Sequence, residues 1–128
     1  MVRCSRRLIH KVASVSSQPN RPPEEPFTRV DVNAAKELID SGTVEIIDVR
    51  EPNEYAEGHI PGVTLVPLGR LLANPQNYIK RDNVLFVCAA GQRSALACEM
   101  AAAIGFESIY NLEGGTTAWA RAGLPIER

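Results

Sequence analysis

Residues 88–94 read Cys-Ala-Ala-Gly-Gln-Arg-Ser, a cysteine and an arginine five positions apart with a glycine between them. Cysteine attacks only as its thiolate, and a thiolate is favoured where cations or unpaired backbone N–H groups face it. The residue types therefore suggest a nucleophile, Cys88, in a loop that also binds an anion. Spacing alone fits better a plainer pair, a small inert buried cysteine beside a solvated arginine, so the flanking elements decide.

The run before the loop, Val84, Leu85, Phe86 and Val87, is short, apolar and rich in β-branched and aromatic residues, and it follows the turn-like residues 80–83. It predicts a buried strand with Cys88 at its end. Beyond the loop, Ser94 is a good helix N-cap, and 95–104 is helix-forming, with Leu96, Met100, Ala103 and Ile104 three and four apart. A strand, a short loop and a helix start place free N–H groups and a positive dipole end around the loop.

The rest of the chain past residue 27 alternates in the same way. Short extended pieces are predicted ending at Val30 and over 44–48, 63–66 and 108–111. Asp31 can cap a helix whose Val32, Ala35, Leu38 and Ile39 share a face and which Gly42 stops. Residues 54–57 allow no more than one helical turn, 68–73 is a weak helix candidate ended by Asn74-Pro75, and 116–122 is the last helix. Such alternation implies an α/β fold with a parallel sheet covered on both faces. Ligands collect at the carboxyl ends of such strands, so Arg50, the Cys88 loop and the Gly114-Gly115 turn are expected to converge there.

Three separated motifs carry a wider likeness. They are Asp48-Val49-Arg50-Glu51 with Glu54-Tyr55 and Gly58-His59-Ile60-Pro61-Gly62; the loop at 88–94; and Leu112-Glu113-Gly114-Gly115 with Ala118-Trp119 and Ala122-Gly123-Leu124-Pro125. From Val30 onward the chain resembles the rhodanese family of sulfurtransferases, with Val63 where alanine is more usual. The resemblance implies a central five-stranded parallel sheet with helices on both faces, Cys88 as the persulfide-bearing catalytic residue, and Ala89, Ala90, Gly91, Gln92, Arg93 and Ser94 as its cradle. A sulfane sulfur would pass from thiosulfate, mercaptopyruvate or a protein persulfide through Cys88 to a thiol or cyanide. Some thiosulfate-preferring members carry a cation just after the cysteine, whereas Ala89 and Ala90 are neutral here, which leaves the donor open.

The chemistry agrees with the residues. A thiolate attacks the outer sulfur of a donor, and a second nucleophile then removes that sulfur, which is covalent ping-pong catalysis. An anionic persulfide needs inward N–H donors; it needs neither metal nor cofactor, and no histidine base once the thiol is ionised. Gly91 permits a backbone angle or close approach denied to other residues. Arg93 can bind a donor's sulfonate or brace the loop. Arg50 is a second candidate for substrate binding, with an ion pair to Asp48 as its structural alternative. His59 reads as a hydrogen-bonded loop residue, Trp119 as core, and Cys98 as a small apolar helix residue.

At 128 residues and 45% hydrophobic content, one compact domain is expected over 28–128, preceded by a basic and then proline-rich tail over 1–27. A net charge of −1 and 5% aromatic residues give no electrostatic case for nucleic acid. No apolar stretch reaches the roughly 18 to 20 residues of a membrane span. No motif speaks to oligomeric state. The three cysteines, Cys4, Cys88 and Cys98, have neither disulfide-framework nor zinc-like spacing, which suits a reducing compartment. Cytoplasmic localisation is expected. Five of the fourteen Lys and Arg lie in residues 1–23, which hold no acid, so mitochondrial import is the alternative if 1–17 act as a transit peptide.

Three other functions compete with sulfur transfer. A cysteine phosphatase or arsenate reductase also sets a thiolate and an arginine on a strand-loop-helix cradle, but with Cys-x5-Arg, one residue longer than the Cys-x4-Arg of 88–93. The tighter loop suits one sulfur atom better than a tetrahedral oxyanion. A non-catalytic partner-binding module is the third reading, and the retained Cys88 argues against it.

Overall fold

In a computed structural model of the chain, residues 25–128 are described. The basic tail, its targeting reading, most of the proline-rich stretch and Cys4 lie outside the described residues.

Each short apolar run becomes one strand: β1 (Thr28–Val30), β2 (Glu45–Asp48), β3 (Thr64–Leu65), β4 (Val84–Val87) and β5 (Ile109–Leu112). They pair side by side in the order β1-β5-β4-β2-β3, every pair parallel. The helices between them are α1 (Val32–Ser41), α2 (Pro52–Glu57), α3 (Leu68–Ala73), α4 (Gln92–Ala103) and α5 (Gly115–Arg121), with a 3-10 turn at Pro75–Asn77. This is the parallel α/β sheet that the alternation predicts, with the five strands that the resemblance implies.

Alternate side chains of each strand serve opposite faces, so the sheet separates two cores. Ile47, Val84, Phe86 and Cys88 pack with Leu71 of α3 and with Ala97, Cys98 and Ala101 of α4. Ile46, Leu85, Val87 and Leu112 pack with Ala35 of α1 and Trp119 of α5. Small residues on the inner face of α4 let that helix lie close to β4 and β5. Cys88 falls in phase with Val84 and Phe86, so its side chain turns toward the α4 side as the strand ends.

The ends of the elements follow local chemistry. Asp31 caps α1 by accepting from the Ala34 N–H at 2.8 Å, and Gly42 closes it at φ 76°. Two expectations change. Where 54–57 allow no more than one turn, the structure has a six-residue helix that begins at Pro52, because proline suits a first helical position and Glu51 and Glu54 form a reciprocal capping box. Ser94 is not the N-cap of the helix after the loop. That helix starts at Gln92, Gly91 is its cap at φ 110°, and Ser94 sits in its first turn. A serine there has its hydroxyl within reach of the loop it follows, which gives it a different task.

Candidate active site

Cys88 is 1% exposed at the carboxyl end of β4, beneath the start of α4. The Gly91 N–H points at its sulfur at 3.0 Å, and the Ser94 hydroxyl lies 3.4 Å away. Burial pushes the Cys88 thiol up, but the Ser94 hydroxyl and the backbone N–H groups of Ser94, Gly91 and Ala90 outweigh it, so its pKa lies below the ordinary cysteine value. The sulfur thus sits in a nest of neutral donors at a helix N-terminus. Cys98 shows the opposite case: burial inside α4 pushes its thiol strongly up, and its sulfur lies 3.4 Å from the Tyr110 carbonyl. That makes Cys98 an apolar packing residue rather than a second nucleophile.

The far side of the loop is held by α5. The N–H groups of Thr116 and Thr117 donate to the carbonyls of Cys88 and Ala89 at 2.8 and 3.1 Å. Such contact needs the preceding residue to lack a side chain. A Cβ on Gly115 would stand 2.4 Å from the Cys88 oxygen and 2.5 Å from the Ala89 oxygen, on a backbone with φ 59°. The Gly114-Gly115 pair is therefore a docking point for the loop. Asn111, fully buried on β5, donates its amide to the Gly91 carbonyl at 3.2 Å and to Glu113 at 2.8 Å.

The two arginines are both engaged. Arg50 is buried and forks onto Asp48 through Nε and Nη2 at 2.9 to 3.1 Å, and Nη2 also donates to the Gly58 carbonyl at 2.8 Å. Arg93 meets Glu54 with Nη1 on Oε1 and Nη2 on Oε2, each at 2.9 Å. The Arg93 guanidinium and the Glu51 N–H hold the Glu54 carboxyl down at about 2. Beside the loop lies a cavity of about 400 Å³ whose wall includes Arg50, Glu54, Glu57, Thr116, Thr117 and Arg128. The Thr116 hydroxyl there is buried without a hydrogen-bond partner.

Residues 88–94 and Arg50 thus come to one rim of the sheet. His59 is a loop residue, as expected: its Nδ1 lies 2.9 Å from the Tyr55 carbonyl and its ring stacks on Tyr55 at 3.7 Å. Trp119 is core, with its indole N–H donating to the Pro125 carbonyl at 2.7 Å. Glu54, Asn111 and Thr116 received no role from sequence. Glu51 and Glu54 stand at the spacing of a capping box, which points to a helix start and not to Arg93, 39 residues away.

The family model for the rhodanese-like domain matches residues 31–122. A sulfurtransferase of Allochromatium vinosum is 36% identical over 92 residues, which is 72% of this chain and 86% of the relative. The thiosulfate sulfurtransferase GlpE of Pseudoalteromonas translucida is 32% identical over 96 residues, 75% of this chain and 91% of the relative. A solved structure from Rhodopseudomonas palustris, described as a protein of unknown function and possible tyrosine phosphatase, superposes with TM-score 0.69 at 30% identity over 91% of each chain. With three motifs meeting at one loop and the family model spanning most of the fold, the chain belongs to the rhodanese-like domain family.

Proposed function

We propose that the chain is a sulfurtransferase that carries a sulfane sulfur as a persulfide on Cys88. The observation that carries this reading is the ring of inward donors on one buried sulfur: the Gly91 N–H at 3.0 Å and the Ser94 hydroxyl at 3.4 Å, at the head of a helix. The Cys88 thiolate attacks the outer sulfur of a donor, the bond between that sulfur and the rest of the donor breaks, and the leaving group departs as an anion. An acceptor thiolate or cyanide then takes the sulfur and restores the Cys88 thiolate. Backbone N–H groups stabilise negative charge on sulfur throughout and have no need to reorganise. The sulfurtransferase names of the relatives from Allochromatium and Pseudoalteromonas support the same reading.

Incubation with thiosulfate, mercaptopyruvate or an organic persulfide is expected to add the mass of one sulfur atom to the intact protein, at Cys88 by peptide mapping. Cys88→Ser takes up none. Sulfur found on Cys98, or no uptake from any donor, overturns the reading.

The resemblance to a possible tyrosine phosphatase makes phosphoester hydrolysis the second reading. Two features disfavour it: the loop from Cys88 to Arg93 is a residue short for a phosphate cradle, and Arg93 faces Glu54. Turnover of an aryl phosphate that is lost in Cys88→Ser would reverse this preference.

A further inference from the structure

Sulfur donors differ most in charge, and the charges around Cys88 are unusually closed. Arg93 and Glu54 share two parallel hydrogen bonds of 2.9 Å, and Glu54 Oε1 also accepts from the Glu51 N–H at 2.9 Å. The carboxylate, part-exposed like its partner, is therefore gripped from both sides. Arg50 is closed in the same way by Asp48. Each guanidinium next to the loop has its charge cancelled by one carboxylate. Ala89, Ala90, Gln92 and Ser94 add no charge. Arg128 and Glu57 on the neighbouring cavity wall add one of each sign. When Cys88 ionises, its negative charge is left without a cation committed to it.

Thiosulfate must bring two negative charges to that thiolate, and its sulfonate needs a cation with free N–H groups. Arg93 is the loop's own candidate, and Glu54 already balances its charge and takes one N–H from each of its terminal nitrogens. The persulfide group of an organic thiol carries at most one negative charge, and only its outer sulfur has to reach the nest. In that case the thiolate attacks the outer sulfur of R–S–SH, the new sulfur-sulfur bond to Cys88 forms as the R–S bond to that sulfur breaks, R–S⁻ leaves, and the proton stays on the transferred sulfur.

On the footing of the Cys88 sulfur-transfer reading, we propose that Glu54 is a specificity-determining residue: by clamping Arg93 it selects against doubly charged inorganic donors and for persulfides of organic thiols. Gln at this position keeps an acceptor for the Glu51 N–H and removes the charge, so it separates selection from capping.

The test is kcat/KM for thiosulfate and for 2-hydroxyethyl persulfide in wild type, Glu54→Gln and Glu54→Ala, with melting curves alongside. In Glu54→Gln the ratio of thiosulfate to persulfide kcat/KM rises about three- to tenfold, the size of one released charged hydrogen bond at a half-exposed site. The KM for thiosulfate falls, its dependence on salt steepens, and adding Arg93→Gln cancels the gain. Glu54→Ala changes the ratio in the same direction. A ratio that is unchanged or lower in folded variants overturns the role of Glu54 alone. A wild-type protein that accepts sulfur from neither donor overturns the sulfur-transfer reading itself.

Discussion

The hydroxyl of Ser94 stands between two acceptors, 3.4 Å from the Cys88 sulfur and 3.2 Å from the Gly91 carbonyl, and it has one proton to give. With a neutral thiol the carbonyl is the better acceptor, and with a thiolate the sulfur is. The hydroxyl therefore favours the charged form of Cys88, together with the fixed N–H groups.

Alkylation of Cys88 by iodoacetamide is expected to follow a titration whose midpoint lies below the ordinary cysteine value, because donors outweigh burial at this sulfur. In Ser94→Ala the midpoint moves up, and sulfur uptake at neutral pH slows about three- to tenfold. An unmoved midpoint would mean that the backbone donors act alone.

Gly115→Ala places a methyl group about where the Cys88 and Ala89 carbonyls already stand. Overpacking of this kind costs about 1–3 kcal/mol, and the positive φ adds to it. Urea unfolding measures the loss. Sulfur uptake falls along with stability, since the loop must move off the Thr116 and Thr117 N–H groups.

Asn111→Ala removes the amide that holds the Gly91 carbonyl. Stability drops by about 1–3 kcal/mol, and the folded variant takes up sulfur more slowly. A variant with wild-type uptake would show that the loop keeps its shape without this brace.

The clamp on Glu54 has a signature in acid. Its folded pKa of about 2 lies below the ordinary glutamate value, so its contribution to stability is present above the unfolded value and is lost as pH falls from there toward 2. Urea midpoints measured across that range decline less steeply in Glu54→Gln than in wild type.

How much of this was legible in advance depended on distance along the chain. The strand at Val84–Val87 and the helix at Leu68–Ala73 have the bounds that their apolar runs and turn residues predict, because local pattern and tertiary role agree there. Cys88 was identifiable from its position at a strand end together with motifs elsewhere. Ser94 was misplaced because the N-cap preference for serine is a local rule, and Gly91 took that position with a left-handed backbone that the loop requires. Glu54, Asn111 and Gly115 act on partners 39, 20 and 27 residues away, and no helical or strand period reports such meetings. The third motif is readable as a likeness; its physical reason, a backbone that must pass within contact of the loop carbonyls, is a tertiary contact that no local pattern encodes.

The sheet separates two cores, and the loop at 88–94 is tied to both: α4 from one side supplies donors to the sulfur, and α5 from the other holds the carbonyls. Neither layer can loosen without releasing the loop. The amides of Thr116 and Thr117 should consequently exchange with solvent only through openings near the cost of unfolding the whole domain. A reactive sulfur anchored at such a seam keeps its donors in register from one turnover to the next, because the loop that carries it is fastened to both layers.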